Sequence, residues 1–167
     1  AVLTTAQVAG LRTTQVAVLT TDQVVALTTA EVRVLTSAQI VTLDTAQVAA
    51  IETADIAALQ GTQLGAFKTE QVAALTTDQV VALTSAQITS VTTAGVVALT
   101  TDQVVAIETV DLAVLTTAQV QALTTAGVAA LTTAQVQALK STQVAALKTT
   151  QVVALTTDQV VALTTAQ

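Results

Sequence analysis

The chain has 167 residues, the size of one domain, and contains no Cys, His, Met, Trp, Tyr or Pro. Without His or Cys it lacks the usual neutral-pH base, thiolate nucleophile, soft metal ligands and haem ligands, so we expect no enzyme activity, metal or cofactor. The net charge is −6 and the five basic residues are scattered, which excludes the basic stripe of a nucleic-acid-binding protein.

Hydrophobic residues make up 52% of the chain, yet they predict no membrane span. Apolar runs such as VVAL end after about four to six residues, far short of the roughly twenty that cross a bilayer. No signal peptide is visible. Because residue 1 is not Met and both ends fall inside a repeat, we expect residues 1–167 to form one repeat domain that is a fragment of a longer array.

An eight-residue repeat runs through the chain in about 21 copies. Leu, Ile, Val or Phe recurs every eighth residue from Leu3 to Leu163. We label the positions a to h, so that the first octad, residues 3–10, is LTTAQVAG with Leu3 at position a. Position c is Thr or Ser except at Gly61, position f is always Val, Ile or Leu, and position h is mostly Ala. Repeats of this kind predict a solenoid, in which each unit is stabilised by its neighbours.

Three periodic structures fit an octad, and one of them agrees best with the residue types. In a continuous helix, eight residues overshoot two turns by about 80°, so the position a row would spiral around the axis. A β-solenoid would place positions a and f on opposite faces unless a turn intervened, and Ala, Gln and Leu do not favour strands. One short helix per octad places f and the next a three residues apart on one face. We therefore predict an all-α solenoid of very short helices, with the β-solenoid as the alternative.

The charged residues predict where each helix begins. All sixteen lie at b, d, e or g, and positions d and e carry eight acids and no base. Acids concentrate at helix N-termini because of the free N–H groups and the helix dipole. Thr at b with Gln at e resembles a capping box, but b also holds Lys and Arg, so we predict the N-cap at c and a helix from d through the next a. The number of helices per superhelical turn stays open between three and four.

Several features are candidates for functional sites. The acids Asp44, Glu52 and Asp55 could meet and hold Ca²⁺, although we expect ordinary surface carboxylates. The Thr rows at b and c could form a flat binding array, although we expect capping and solvation, because charged residues interrupt b in seven octads.

The octad 59–66, LQGTQLGA, departs most from the pattern. Gly61 replaces the expected cap, and Gly65 and Phe67 follow. We interpret Gly65 as making room for Phe67, with a hinge or contact site as the alternative. Gly95 and Gly127 interrupt the Gln row at e. That row is too regular for a free surface position, and we expect it to bond to corner carbonyls, to Gln in the adjacent turn, or to another chain.

The stretch LTTDQVVAL resembles the opening of a transcription activator-like effector repeat, whose first helix begins LTPEQVVAI. The match covers about nine residues, in which Thr20 and Gln23 correspond to the capping Thr and the third helical residue. The resemblance implies a helix here. It does not carry DNA binding, because the base-reading loop, the second helix and the 34-residue period of that family are missing.

The whole chain resembles octad-repeat stretches of very long bacterial proteins that are secreted or surface-attached. That resemblance implies an extracellular structural role. We therefore expect an acidic, cysteine-free rod, stalk or filament segment that associates with itself through stacked repeats or end-to-end contacts. The alternative is an adhesin module presenting Thr and Ala rows to ice, glycan or a protein partner. We expect no nucleic acid and no small-molecule ligand as partners.

Overall fold

A computed structural model describes residues 3–167 as a succession of very short α-helices, one in each octad. Residues 1–2, which the predicted domain includes, lie outside the described residues. No strand occurs within residues 3–167, so the all-α prediction is confirmed and the β-solenoid alternative is wrong. The helices are α1 (Thr5–Ala9), α2 (Thr13–Val16), α3 (Thr21–Val25), α4 (Thr29–Arg33), α5 (Ser37–Ile40), α6 (Thr45–Ala50), α7 (Thr53–Ala58), α8 (Gly61–Leu64), α9 (Thr69–Ala73), α10 (Thr77–Val81), α11 (Ser85–Ile88), α12 (Thr93–Ala98), α13 (Thr101–Ala106), α14 (Thr109–Leu112), α15 (Thr117–Ala122), α16 (Thr125–Ala130), α17 (Thr133–Ala138), α18 (Ser141–Ala145), α19 (Thr149–Ala154) and α20 (Thr157–Ala162).

The N-cap lies at position b, not at c as the sequence analysis predicts. In α13, Thr100 is the extended N-cap residue, and its hydroxyl accepts a hydrogen bond from the Gln103 N–H at 3.2 Å. In return, the Gln103 side chain accepts from the Thr100 N–H at 2.8 Å. This reciprocal pair is a capping box. The helix therefore starts at c, one residue earlier than predicted, and it ends before the next a.

Basic residues at b are compatible with this cap because the Gln at e provides the other half of the capping box. Arg12 has no side-chain acceptor and cannot receive a hydrogen bond from the helix. Its own N–H still donates to Oε1 of Gln15 at 2.9 Å, and Lys68 makes the same bond to Gln71 at 2.9 Å. Position b tolerates Lys and Arg because Gln at e supplies this bond. The presence of basic residues at b therefore does not require a cap at c.

Replacing Thr100 by Ala should cost about 1 kcal/mol of unfolding free energy, because the hydroxyl that accepts from the helix is lost. Replacing the adjacent Thr101, which is exposed at c, should change it by less than about 0.5 kcal/mol. Urea unfolding followed by circular dichroism measures both variants under the same conditions. A larger loss for Thr101→Ala than for Thr100→Ala would contradict the cap at b.

The corners between helices lie at a and b and need neither Gly nor Pro. Thr100 has φ −72° and ψ 163°, and at the end of α13 Ile107 has φ −64° and ψ 125°. These are extended conformations that any L-residue adopts. No cis peptide and no positive φ occurs among residues 3–167. One or two extended residues thus separate consecutive helices, which explains how octads follow one another without a longer loop.

The core consists of two apolar rows, at f and a, as the helical spacing predicts. Position f is 0–3% exposed from Val8 to Val136, and position a is similarly buried through most of the chain from Leu35 to Leu139. Burying one Val or Leu side chain contributes about 1.5–3 kcal/mol. Helices of four to six residues cannot persist alone, since helix nucleation is costly. The two rows therefore supply the stability that the helices lack individually.

The superhelix has between three and four octads per turn. Helices three octads apart pack against each other, as α9 does with α12 and α10 with α13. Hydrogen bonds between turns reach further, over 28 and 31 residues. Because neither three nor four octads closes a turn, the helices of successive turns are staggered. Each helix N-terminus lies over a corner of the turn before it.

Candidate functional site: a buried glutamine ladder

The Gln side chains at e join each turn to the preceding one. Gln79 is 1% exposed and occupies the third position of α10. Its Oε1 accepts from the Thr76 N–H at 2.8 Å. Its Nε2 donates to the carbonyls of Val48 at 2.9 Å and Ile51 at 2.6 Å. The amide thus closes its own capping box and ties the turn to the corner after α6.

The same pattern recurs along the chain, and we call its members the glutamine ladder. Each donates to the f carbonyl 31 residues earlier and to the a carbonyl 28 residues earlier, as Gln79 does. Of the three options for the Gln row, bonding to corner carbonyls is confirmed. The members are Gln39, Gln47, Gln63, Gln71, Gln79, Gln87, Gln103, Gln119, Gln135, Gln143, Gln151, Gln159 and Gln167.

A primary amide suits this position because it offers both an acceptor and two donor hydrogens. Burying a polar group without partners costs free energy, and burying it fully bonded avoids that cost. The residue at a has an extended backbone, so its carbonyl lies outside the helical hydrogen-bond pattern and needs a donor. Gln at e supplies that donor and has the length to span the gap between turns.

Five e positions lack Gln, and the three acids among them are buried rather than solvated. Glu31, Asp55 and Asp111 are 2–3% exposed. All three lie in the first turn of their helices, as the sequence predicts. The expectation of an ordinary surface carboxylate is wrong for Asp55, because e faces the preceding turn. Gly95 and Gly127 are also buried, and because they have no side chain they make no ladder bond.

The three acids meet different partners. Glu31 keeps the capping box, with Oε2 accepting from the Thr28 N–H at 2.7 Å. Asp111 accepts from the Ser85 hydroxyl, one turn earlier. Asp55 Oδ2 has no hydrogen-bond partner within residues 3–167. A carboxylate has no proton for the carbonyls that face e, so Asp55 and Asp111 interrupt the ladder. Glu31 precedes the first ladder member, Gln39.

Replacing Asp55 by Gln should raise the unfolding free energy by about 1–3 kcal/mol, because a buried unpaired group is exchanged for a bonded amide. The new side chain would have the carbonyls of Val24 and Leu27 as acceptors, at the same separations of 31 and 28 residues that Gln79 spans. Asp55→Asn is the matched control, since it removes the same charge with a side chain one methylene shorter. Equal stabilisation by both variants in urea unfolding would show that charge removal, rather than the ladder bond, is responsible.

Asp44, Glu52 and Asp55, the acids considered as a possible calcium group, form no metal-binding cluster within the described residues. No group of three or more acids or other metal-ligating residues forms within the described residues. Asp44 instead caps α6 by accepting from the Gln47 N–H at 2.7 Å, and Glu52 is exposed at the start of α7. These carboxylates belong to the helix ends.

The irregular octad 59–66 accommodates the turn that follows it. A Cβ on Gly61 would lie 2.5 Å from Ser90 Oγ, and a Cβ on Gly65 would lie 3.0 Å from the Ser90 carbonyl oxygen. The interpretation that Gly65 makes room for Phe67 is therefore wrong. Ser90 replaces the usual Ala at h, and the two glycines allow that corner to approach α8. Phe67 is buried in the shared core.

The outer surface repeats the same exposed positions from octad to octad. Positions b, c and d are exposed almost throughout, and g in most octads. The Thr hydroxyls at b serve as caps, whereas most hydroxyls at c make no hydrogen bond within residues 3–167. In that part of the chain no helix has the length and apolarity to cross a membrane.

Comparison with known proteins gives one match. A family model described as the ALTTAQ repeat matches residues 1–29, 48–85, 104–141 and 136–165. Together these segments cover more than half of the chain and confirm the tandem repeat. No curated protein and no solved structure matches the chain.

Proposed function

Because the chain belongs to the ALTTAQ repeat family, we propose that this structural repeat protein acts as a rod, stalk or filament segment of an extracellular or cell-surface assembly. The observation that carries the proposal is the glutamine ladder. It repeats the same two inter-turn bonds at every e position from Gln39 to Gln167 that carries Gln, so that successive turns are joined in the same way. A solenoid whose successive turns are held by equivalent hydrogen bonds is suited to forming a long, regular rod.

Continuity of the core supports the same function. The f and a rows form one apolar cluster that extends from Val8 to Leu139. In a solenoid, bending requires neighbouring turns to separate and therefore exposes part of this cluster. Both the ladder bonds and the apolar contacts resist that separation. The proposed role is therefore that of a stiff spacer without catalytic activity, in keeping with the absence of His and Cys.

Small-angle X-ray scattering of the purified chain at low concentration tests this function. We expect the scattering of a rod, with a cross-section that stays constant across concentrations and a length that grows in proportion when octads are added genetically. A compact particle whose dimensions grow in all directions on adding octads would overturn the spacer function. Labelling of intact cells with an antibody against the chain tests the surface location, which rests on the resemblance to long secreted repeat proteins.

A second candidate, an adhesin-type module, is favoured by the hydroxyls at c. Position c is Thr or Ser in every octad but one, although its side chains are exposed and most lack hydrogen bonds in residues 3–167. The test replaces three exposed residues of the c row, Thr93, Thr117 and Thr125, by Glu. Loss of binding to ice or to a glycan array would favour the adhesin, whereas a spacer would keep its length and stability.

A further inference from the structure

Asp55 differs from the other buried acids in having a carboxylate oxygen without a partner. It lies in α7 and is 2% exposed, and its Oδ2 makes no hydrogen bond within residues 3–167. Unlike Gln at e, it does not form a capping box with Glu52. Asp111 is buried at the same octad position, but it accepts a hydrogen bond from the Ser85 hydroxyl. A buried carboxylate without such a donor needs another source of positive charge.

The groups that face Asp55 from the preceding turn are backbone carbonyls. In the octad before it, Nε2 of Gln47 lies 3.3, 3.5 and 2.6 Å from three carbonyl oxygens, at f, g and a. Gln63, in the octad after it, has the same arrangement, at 3.0, 3.4 and 2.7 Å. By the same sequence separations, the carbonyls that face Asp55 are those of Val24, Val25 and Leu27.

These groups provide ligands for a cation but no hydrogen-bond donor. Carbonyl oxygens and an ionised carboxylate only accept hydrogen bonds. Asp is one methylene shorter than Gln, so its carboxylate ends short of the point at which a ladder nitrogen meets the three carbonyls. A metal ion at that point has carbonyl oxygens on one side and the carboxylate on the other. Hard cations prefer such a set of oxygen ligands.

The helices around Asp55 provide no buried base to balance its charge. Helix α7 packs on α4 and α10, and the facing carbonyls follow from α3. Among these four helices the only basic residue is Arg33, which is exposed at g. A buried charge that no base pairs with is stabilised when it coordinates a metal ion.

We propose that Asp55 and the carbonyls of Val24, Val25 and Leu27 bind one hard cation, Ca²⁺ or Na⁺, which takes the place of the ladder amide between these two turns. Mg²⁺ is disfavoured because it gives up its bound water reluctantly. A site with one carboxylate binds Ca²⁺ weakly, with a Kd of about 1 mM. It needs neither Asp44 nor Glu52, and so it differs from the three-acid group considered from the sequence. It departs from the expectation of no metal and does not rest on the proposed rod function.

Urea unfolding of the full chain, followed by circular dichroism, tests the site. The chain is first freed of metal with a chelator and then unfolded in three solutions of equal ionic strength, about 0.15 M. One contains choline chloride alone, one contains NaCl, and one contains choline chloride with about 10 mM CaCl₂. The ion that binds should lower the equilibrium constant for unfolding about tenfold relative to choline, because it binds only the folded chain.

Substitutions at Asp55 separate this site from general effects of salt. Asp55→Asn removes the charge and keeps the shape of the side chain, so the tenfold effect should fall below about twofold. Asp55→Gln, in which an amide replaces the ion, should be equally insensitive. The controls are Asp102→Asn, at an exposed d position, and Asp111→Asn, whose carboxylate already has a donor. Both controls should respond to the ion as the parent chain does.

Three results would overturn the site. They are a parent chain that neither ion stabilises more than choline does, an equal response of the parent chain and Asp55→Asn, or a response that disappears in Asp111→Asn but persists in Asp55→Asn. Stabilisation by Ca²⁺ and stabilisation by Na⁺ both support the site, and the comparison identifies the ion. For Ca²⁺, titration calorimetry should also show one binding site per chain that Asp55→Asn lacks.

Discussion

Replacing Gln79 by Leu should lower the unfolding free energy by about 3–5 kcal/mol, among the largest losses that a single substitution can give here. Leu has a similar volume and no polar atoms. It removes the acceptor of the Thr76 N–H and the donor to the Val48 and Ile51 carbonyls. The Val48 carbonyl keeps its bond from the Ile51 N–H. The Ile51 carbonyl and the Thr76 N–H lose theirs, at about 1–3 kcal/mol for each group.

The control is Gln137→Leu, which makes the same chemical change at an exposed g position and should alter stability by less than about 0.5 kcal/mol. Urea unfolding of both variants, followed by circular dichroism, gives the comparison. Because a solenoid is coupled mainly through neighbouring turns, the Gln79 variant should also separate the unfolding into two transitions. A loss below about 1 kcal/mol would mean that the ladder bonds exchange freely with water and do not hold the turns together.

Replacing Ile56 by Ala should cost about 2–5 kcal/mol, since it deletes buried methyl and methylene groups from the f row and leaves a cavity. Ile56 is 0% exposed, and its helix α7 packs on both α4 and α10. The cavity therefore weakens two inter-turn contacts at once. Val97→Ala, at a g position that is 53% exposed, is the control and should cost less than about 1 kcal/mol.

Thermal and urea unfolding of the Ile56 variant measure this loss. The midpoint should fall, and hydrogen exchange should accelerate first in α4, α7 and α10 rather than at the ends of the chain. Uniform acceleration along all helices would contradict a local cavity and would indicate that the whole stack unfolds as a single unit.

The sequence was sufficient to predict the architecture because two independent patterns agreed. The spacing of f and the next a defined one apolar face, and the acids at d and e indicated a helix start in every octad. Both patterns depend on contacts within a single octad, for which local physical rules are reliable. The predicted cap is one position late because it treats Lys and Arg at b as incompatible with a cap. The structure shows that Gln at e accepts from the b N–H whichever side chain b carries.

The ladder itself could not be located from the sequence, because its acceptors lie 28 and 31 residues away. That distance depends on the number of octads per turn, and the few charges did not determine it. The same uncertainty made Asp55 resemble a surface carboxylate, although it faces the preceding turn. The two glycines of the irregular octad were likewise misread. Their partner, Ser90, is a neighbour only through the superhelix.

The ladder has a consequence for how such a gene can change. Each Gln recognises backbone carbonyls, so its two bonds do not depend on which side chains the preceding turn displays. The DNA that encodes such similar octads is itself repetitive, which favours slipped replication and unequal recombination between copies. Gain or loss of whole octads would then alter the length of the protein while every joint is rebuilt with the same bonds. Length thus becomes a heritable trait that evolution can adjust in steps of eight codons without first destabilising the fold.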